Sequence, residues 1–192
     1  MTRFWWVRHG PTHARAMIGW TDLPADLSDI AALARLEAHL PADALVISSD
    51  LSRAVTTADA IQGHRLRLPH DPCLREIGFG AWEMRGFDEI EAETPDHIRA
   101  FWDEPGDVRA PDGESWNELV ARVSAAVDRL LVAHQGRDIV VTAHFGSILA
   151  ALQRAERLSP RAVFAHRIDN LSVTCLCHDG SDWQTRAINH KP

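Results

Sequence analysis

The sequence predicts an α/β fold: a three-layer αβα sandwich with a mostly parallel central sheet and an antiparallel addition at the C-terminus. Three observations carry that prediction. Short apolar runs alternate with amphipathic stretches along most of the chain, the pattern of strands covered by helices. Three of those runs, Phe4–Val7, Ala44–Ile47 and Asp138–Ala143, end abruptly in polar corners. Near the C-terminus, Leu171–Cys177 and Trp183–Asn189 alternate around the turn-rich His178-Asp179-Gly180-Ser181-Asp182, as the arms of a hairpin do. With 192 residues, 45% of them hydrophobic, the chain can bury a sizeable core, and nothing forces a second domain. One domain is expected over residues 1–192.

Taken in order, Phe4-Trp5-Trp6-Val7 reads as a buried strand stopped at Gly10-Pro11. Ser28 is placed to cap a helix that buries Ile30, Leu33, Leu36 and Leu40 on one face and stops at Pro41. Ala44-Leu45-Val46-Ile47 is a second strand, followed by a helix from about Leu51 to Ile61 that Gly63 closes. Between Glu83 and Glu104, Phe87, Ile90, Ile98, Phe101 and Trp102 recur at near-helical spacing, which predicts two short helices over the site. Ser115 and Glu118 fit a capping box for the clearest helix, with Trp116, Leu119, Val120, Val123, Val127, Leu130 and Leu131 as its apolar stripe and Gly136 at its end. The strand Asp138–Ala143 then leads through His144-Phe145-Gly146-Ser147 into a helix from Ile148 to Ala155.

The chemistry gathers at the polar corners. Arg8 and His9 set an always-charged guanidinium beside an imidazole that can be neutral near pH 7, an anion anchor next to a nucleophile. Arg53 falls in the first turn of its helix, where a cation meets the positive end of the dipole and a bound anion would remove the conflict. His144 occupies the third corner. Right-handed crossovers bring the carboxyl ends of parallel strands to one side of the sheet, and ligands bind there against helix N-termini. Arg8, His9, Arg53 and His144 are therefore expected along one edge. Alone, each reads as an ordinary surface or core residue; at matching corners, together, they point to a phosphate site. The loop Leu74–Glu83 adds two carboxyl groups, Glu76 and Glu83, either of which could hold a proton near neutrality against aromatic surface. Cations around His9 depress its pKa, so a raised donor and a depressed nucleophile predict a bell-shaped rate profile on the acidic side of neutrality.

Composition excludes other classes. The 27 acidic and 20 basic residues leave a formal charge of -7, which repels nucleic acid and anionic membrane, so the expected partner is a small phosphate ester held by a local cation cluster. No apolar run approaches the roughly 18 residues of a membrane span, and the N-terminal run is too short for a signal-peptide core, so a cytoplasmic protein is expected. Cys73, Cys175 and Cys177 lack Cys-x-x-Cys spacing and predict neither a disulfide framework nor a zinc site. Cys175 and Cys177 are expected to share one face of a buried strand. His9 and His13 stand four apart as in helical zinc sites, but Gly10-Pro11 breaks any such helix, and neither metal nor cofactor is expected.

Arg8-His9-Gly10 with Thr12, the stretch Ser48-Ser49-Asp50-Leu51-Ser52-Arg53-Ala54, Glu76 with the following Gly80-Ala81-Trp82-Glu83, Gly113-Glu114-Ser115 and Ala143-His144-Phe145-Gly146 together resemble the histidine phosphatase superfamily, in its phosphoglycerate-mutase-like branch. The resemblance runs from about residue 3 to residue 156 and includes α-ribazole phosphatase-like and broad-specificity phosphatase-like members. It implies His9 as the nucleophile that becomes phosphorylated, Arg8, Arg53 and His144 as the phosphate pocket with Thr12 and Phe145, and Glu76 as the proton donor. It also implies residues 77–116 as a lid, with Trp20 and Trp82 as substrate-contacting candidates. Many members carry Trp-Asn shortly after the Thr of the first motif, whereas this chain has His13-Ala14-Arg15-Ala16, leaving His13 or Arg15 to replace that phosphate contact.

The expected activity is a metal-independent phosphomonoesterase, of the histidine acid phosphatase type, working through a phosphohistidine on a small metabolite. A phosphoglycerate-mutase-type phosphoryl transfer is the first alternative, disfavoured because the region from Glu76 to Gly113 is short against the longer mutases. A non-catalytic phospholigand-binding module is the second, disfavoured by the presence of both His9 and Glu76.

Overall fold

A computed structural model describes residues 1–192. In chain order it runs β1 (Thr2–Arg8), α1 (Ile30–His39), β2 (Leu45–Ser48), α2 (Ser52–Ile61), β3 (Leu66–Arg67), α3 (Phe87–Glu93), α4 (Pro95–Asp103), α5 (Trp116–Ala133), β4 (Asp138–Ala143), α6 (Phe145–Glu156), α7 (Pro160–Val163), β5 (Val173–His178) and β6 (Trp183–His190). The strands form one sheet in the order β3-β2-β4-β1-β5-β6. Its first four members are mutually parallel, while β5 pairs antiparallel with β1 and β6 antiparallel with β5.

The two-residue period of the strands sorts their side chains onto two faces. Phe4, Trp6, Ile47, Ile139 and Val141 join Leu119, Val123, Ile148 and Leu149 of α5 and α6 in one cluster. Val7, Val46 and Val140 join Leu33 and Leu36 of α1 and Ala58 and Ile61 of α2 in the other. Helices thus cover both faces, which explains why β1, β2 and β4 read as continuous apolar runs. The order of the strands has a consequence for the site. β1 and β4 are neighbours, yet the chain leaves β1 toward a helix on one face and leaves β4 toward a helix on the other, which opens a crevice at their carboxyl ends.

Several local expectations are corrected. Ser28 does not cap α1: its backbone N–H is engaged by Asp26 Oδ1 at 2.9 Å, and Asp29 caps instead, accepting from the Ala32 N–H at 2.9 Å. Ile30 then opens the helix 69% exposed, off the apolar face. α6 begins at Phe145 rather than Ile148, because Ser147 Oγ accepts the His144 N–H and returns a bond to the His144 carbonyl, closing the first turn early. β3 and α7, two and four residues long, are too short to show a period. The paired short helices α3 and α4, the capping box of Ser115 and Glu118, and the C-terminal antiparallel pair are as expected. Cys175 and Cys177 are buried in β5 as free thiols. No helix is long and apolar enough to cross a membrane.

Ser115 Oγ accepts the Glu118 N–H while the Glu118 carboxylate accepts the Ser115 N–H, so Ser115→Ala removes the side-chain half of the α5 cap and leaves the backbone N–H bonded to Glu118. Urea unfolding should show a loss of about 1 kcal/mol with an unchanged m-value.

Candidate active site

The parallel ladder fixes the first two site residues. Arg8 pairs in register with Ala143, and the His9 N–H donates to the Ala143 carbonyl at 3.1 Å, which carries His9 to His144 across the crevice. Their ring centroids lie 5.0 Å apart. His9 is 7% exposed and its Nδ1 lies 2.6 Å from the Gly10 carbonyl. A carbonyl can only accept, so Nδ1 carries the proton and Nε2 keeps its lone pair. Gly10 is required here because a Cβ would stand 2.7 Å from Leu27 Cδ2 and 2.8 Å from the Asp26 carbonyl. Burial, then the charges of Arg53 and Arg8, push the His9 pKa down to about 3 against the weaker opposing effect of the Gly10 bond. His144 is completely buried with both ring nitrogens unpartnered, and burial followed by His9 and Arg53 holds its pKa well below the usual value. Both imidazoles are therefore neutral at pH 7.

The cations come from two further elements. Arg53, in the first turn of α2, is 1% exposed and donates through Nη1 to the Thr21 carbonyl at 2.9 Å and through Nη2 to the Gly19 carbonyl at 2.6 Å. Arg8 donates through Nη1 to the Ile168 carbonyl at 2.6 Å, keeps a buried Nε without a partner, and lies 5.5 Å from the Phe145 ring centroid. Burial lowers the pKa of both guanidinium groups and Glu76 opposes it, so the carboxyl group is near enough to act on both.

Glu76 is 8% exposed and is held by α6. The Gly146 N–H reaches both carboxyl oxygens, at 3.0 and 3.1 Å, and the Ile77 N–H donates to Oε1 at 2.9 Å. Glu83, the other carboxyl candidate, is spent elsewhere: it accepts from the backbone of Gly19, Trp20, Thr21 and Phe79 and from the Thr21 hydroxyl, tying together the loop that holds Arg53.

The remaining candidates separate. Phe145 is half-buried at the start of α6 beneath Arg8, and Thr12 is half-buried with no side-chain hydrogen bond. His13 turns outward with its side chain 68% exposed and pairs with Asp26 at 2.8 Å, and Arg15 is exposed without an ion-pair partner; neither is hydrogen-bonded to Arg8, His9, Arg53 or His144. Trp20 is 44% exposed and its indole donates to the Glu76 carbonyl at 2.8 Å, bracing the loop. Trp82 is corrected to a core residue, 2% exposed and packed edge-on against Phe101 and His97. Sequence reasoning missed Arg122 and Asn170. Arg122 donates to the carbonyls of Cys73, Arg75 and Glu76 and clasps Glu114 with two bonds of 2.7 Å, shaping the Glu76 loop. Asn170 donates to the His9 carbonyl at 2.7 Å. Both act through backbone carbonyls, which leave no trace in a residue pattern.

A neutral buried imidazole with a free Nε2, flanked by two guanidinium groups and facing a carboxyl group at a helix N-terminus, defines an enzyme class that handles phosphoryl groups. The comparisons agree: the chain belongs to the histidine phosphatase superfamily (branch 1), whose family profile matches residues 4–191. A Yersinia pestis (strain Pestoides F) protein named probable phosphoglycerate mutase GpmB is 30% identical over 194 aligned positions, covering 95% of this chain and 88% of its own. Among solved structures, Bacillus stearothermophilus YhfR superposes with a TM-score of 0.88 at 27% identity, covering 98% of this chain and 96% of its own. A mycobacterial glucosyl-3-phosphoglycerate phosphatase superposes with a TM-score of 0.83 at 28% identity, covering 99% of each chain.

The depressed histidines make stability depend on pH. The unfolded chain protonates each imidazole near 6.5, whereas folded His9 resists down to about 3 and His144 also lies well below its usual value. Between those limits the unfolded state binds more protons, so their stabilising effect is present above pH 6.5 and is lost as pH falls. Each should remove roughly 1 kcal/mol per pH unit below that point. Urea unfolding at pH 7 and pH 5 should show a shallower pH slope for His144→Gln than for the unsubstituted chain; equal slopes would contradict a neutral His144.

Proposed function

We propose that the protein is a phosphomonoesterase that passes the phosphoryl group of a small metabolite through His9 to water. The observation that carries this reading is the 2.6 Å contact between His9 Nδ1 and the Gly10 carbonyl, which presents Nε2 as the attacking atom. Nε2 attacks phosphorus, the phosphorus–oxygen ester bond breaks, and Glu76 gives its proton to the departing oxygen. The imidazole keeps its Nδ1 proton against Gly10 while it bears the phosphoryl group. Water then attacks phosphorus, Glu76 takes the water proton, and the phosphorus–nitrogen bond breaks to release phosphate and neutral His9.

Charge that accumulates on the phosphoryl oxygens meets Arg8 and Arg53, whose donors are only partly used by backbone carbonyls. Neutral His144 contributes one N–H. Such preorganised donors are each worth about 3 to 4 kcal/mol in the barrier, and the charge they supply needs no metal. Residues 77–116, with α3 and α4, serve as the lid, and the protein acts in the cytoplasm on a free small-molecule ester. Phosphoglycerate-mutase-type transfer is the second reading, favoured by the Yersinia relative. Dependence of activity on a bisphosphorylated primer separates it from hydrolysis.

Acid-labile phosphate should appear on the protein during turnover and be absent in His9→Ala. In single-turnover measurements of His9 phosphorylation, Glu76→Ala should slow transfer from alkyl phosphates by about 10² to 10⁴-fold and from p-nitrophenyl phosphate far less, since p-nitrophenolate leaves without a proton. Equal losses on both would remove Glu76 as the donor. A Cβ at position 146 collides with Glu76 Oε1, so Gly146→Ala should reproduce the same selective loss while His9 phosphorylation by p-nitrophenyl phosphate persists.

A further inference from the structure

Next to the proposed donor lies a second space of different chemistry. Phe79, Phe101, Trp102, Trp116, Phe145 and Phe164 line a narrow cavity whose wall also includes Glu76 and Gly146. The six rings come from five separate stretches: the loop after Glu76, α4, the first residue of α5, the first residue of α6 and the residue after α7. They pack on one another, Trp102 edge-on to Phe101 with centroids at 5.1 Å and to Phe164 at 6.1 Å, and Trp116 against Phe164 at 4.5 Å. Phe145 belongs to both compartments, since it walls this cavity and lies beneath the Arg8 guanidinium.

The wall has little to offer a polar guest. The Trp116 N–H is committed to Gln153 Oε1 at 2.7 Å, which leaves the buried, unpartnered Trp102 N–H as the single free indole donor. A proton donor must touch the ester oxygen, and Glu76, like Phe145, is shared between the phosphoryl pocket and this cavity. The carbon skeleton of the alcohol, on the far side of that oxygen from phosphorus, is therefore directed among the rings. A polyol placed there would give up several hydrogen bonds to water and find only the Trp102 N–H besides Glu76, which the ester oxygen engages. The cavity, about 40 Å³, admits part of an apolar ring or the end of a chain, which would gain from the transfer and from stacking.

We infer that this aromatic cavity is the leaving-group subsite, and that it selects phosphate esters of apolar, flat alcohols over those of polyhydroxylated ones. The inference rests on the phosphomonoesterase reading above and narrows its substrate class. The test compares kcat/KM for 2-phenylethyl phosphate and glycerol 3-phosphate, both esters of aliphatic alcohols that need a proton to leave. It uses the full chain, with His9→Ala as the control for the reaction. The aromatic ester should be favoured by about 10-fold or more, the factor expected for burying part of one ring, and free 2-phenylethanol should inhibit competitively where glycerol does not.

Trp102→Ala should abolish most of that preference, chiefly through KM for the aromatic ester, while Trp102→Phe, which keeps the apolar wall, should retain it. Equal losses on both esters in Trp102→Ala would make Trp102 a structural residue and overturn the subsite. His9-dependent turnover that favours glycerol 3-phosphate, or treats the two alike, would also overturn it and leave the phosphomonoesterase reading standing. No His9-dependent release from either ester would remove that reading, and the subsite with it.

Discussion

The parallel pairing of β1 with β4 is the constraint on which the rest of the site depends. Register sets Arg8 opposite Ala143, and a slip of one residue would turn every side chain of β1 to the other face, burying Arg3 and Trp5 where Phe4 and Trp6 now lie. The same register delivers His9 and His144 together at the strand ends. Because the chain leaves the two strands toward opposite faces, no connection crosses between them and the crevice stays open. The apolar clusters on the two faces hold that register, so core and chemistry are specified by one set of alternating residues.

A second device keeps buried positive charge available to an incoming anion. Arg8 and Arg53 are solvated mainly by backbone carbonyls, those of Ile168, Gly19 and Thr21, rather than paired with carboxylates at close range. A carbonyl satisfies a guanidinium donor without cancelling its charge, whereas a salt bridge would do both. Arg122 illustrates the contrast. Its charge is matched by Glu114, and its remaining donors gather the carbonyls of Cys73, Arg75 and Glu76, so it shapes the Glu76 loop. Glu83 plays the corresponding part for the Gly19–Thr21 loop. Carboxylates thus organise the loops, and uncompensated cations face the site.

The histidines complete this arrangement by staying neutral. Burial and the nearby guanidinium groups both act against the imidazolium, leaving His9 a lone pair and His144 a donor without net charge. In the proposed reaction phosphoryl capture falls to the sheet edge, while the groups that would meet the rest of the substrate come from α4, α5 and the turn after α7. That division suits a superfamily whose relatives include proteins named as mutases and as phosphatases, since the acceptor and leaving group can change while the phosphoryl pocket is kept.

Arg8, His9, Arg53 and His144 could be read from the chain because each follows a buried apolar run, and the geometry of parallel strands sends such corners to one edge. The strands themselves were legible for the same reason: side chains buried on both faces must be apolar, as in Ile139-Val140-Val141. Residue chemistry alone could not tell Glu76 from Glu83, and only the family resemblance singled out Glu76; what distinguishes them physically is the Gly146 N–H reaching one and a cluster of loop N–H groups occupying the other. Arg122, Asn170, the outward turn of His13 and the burial of Trp82 were equally hidden, being set by backbone groups far apart in the chain. The sequence by itself determined the order of elements, the two apolar faces and the corner residues, because hydrophobic burial and turn chemistry act at short, periodic spacing. Only the tertiary structure decided which carboxyl group the Gly146 N–H holds near Arg8 and Arg53, which donors stay free and which rings gather beside Glu76, because those depend on the convergence of segments separated by tens of residues.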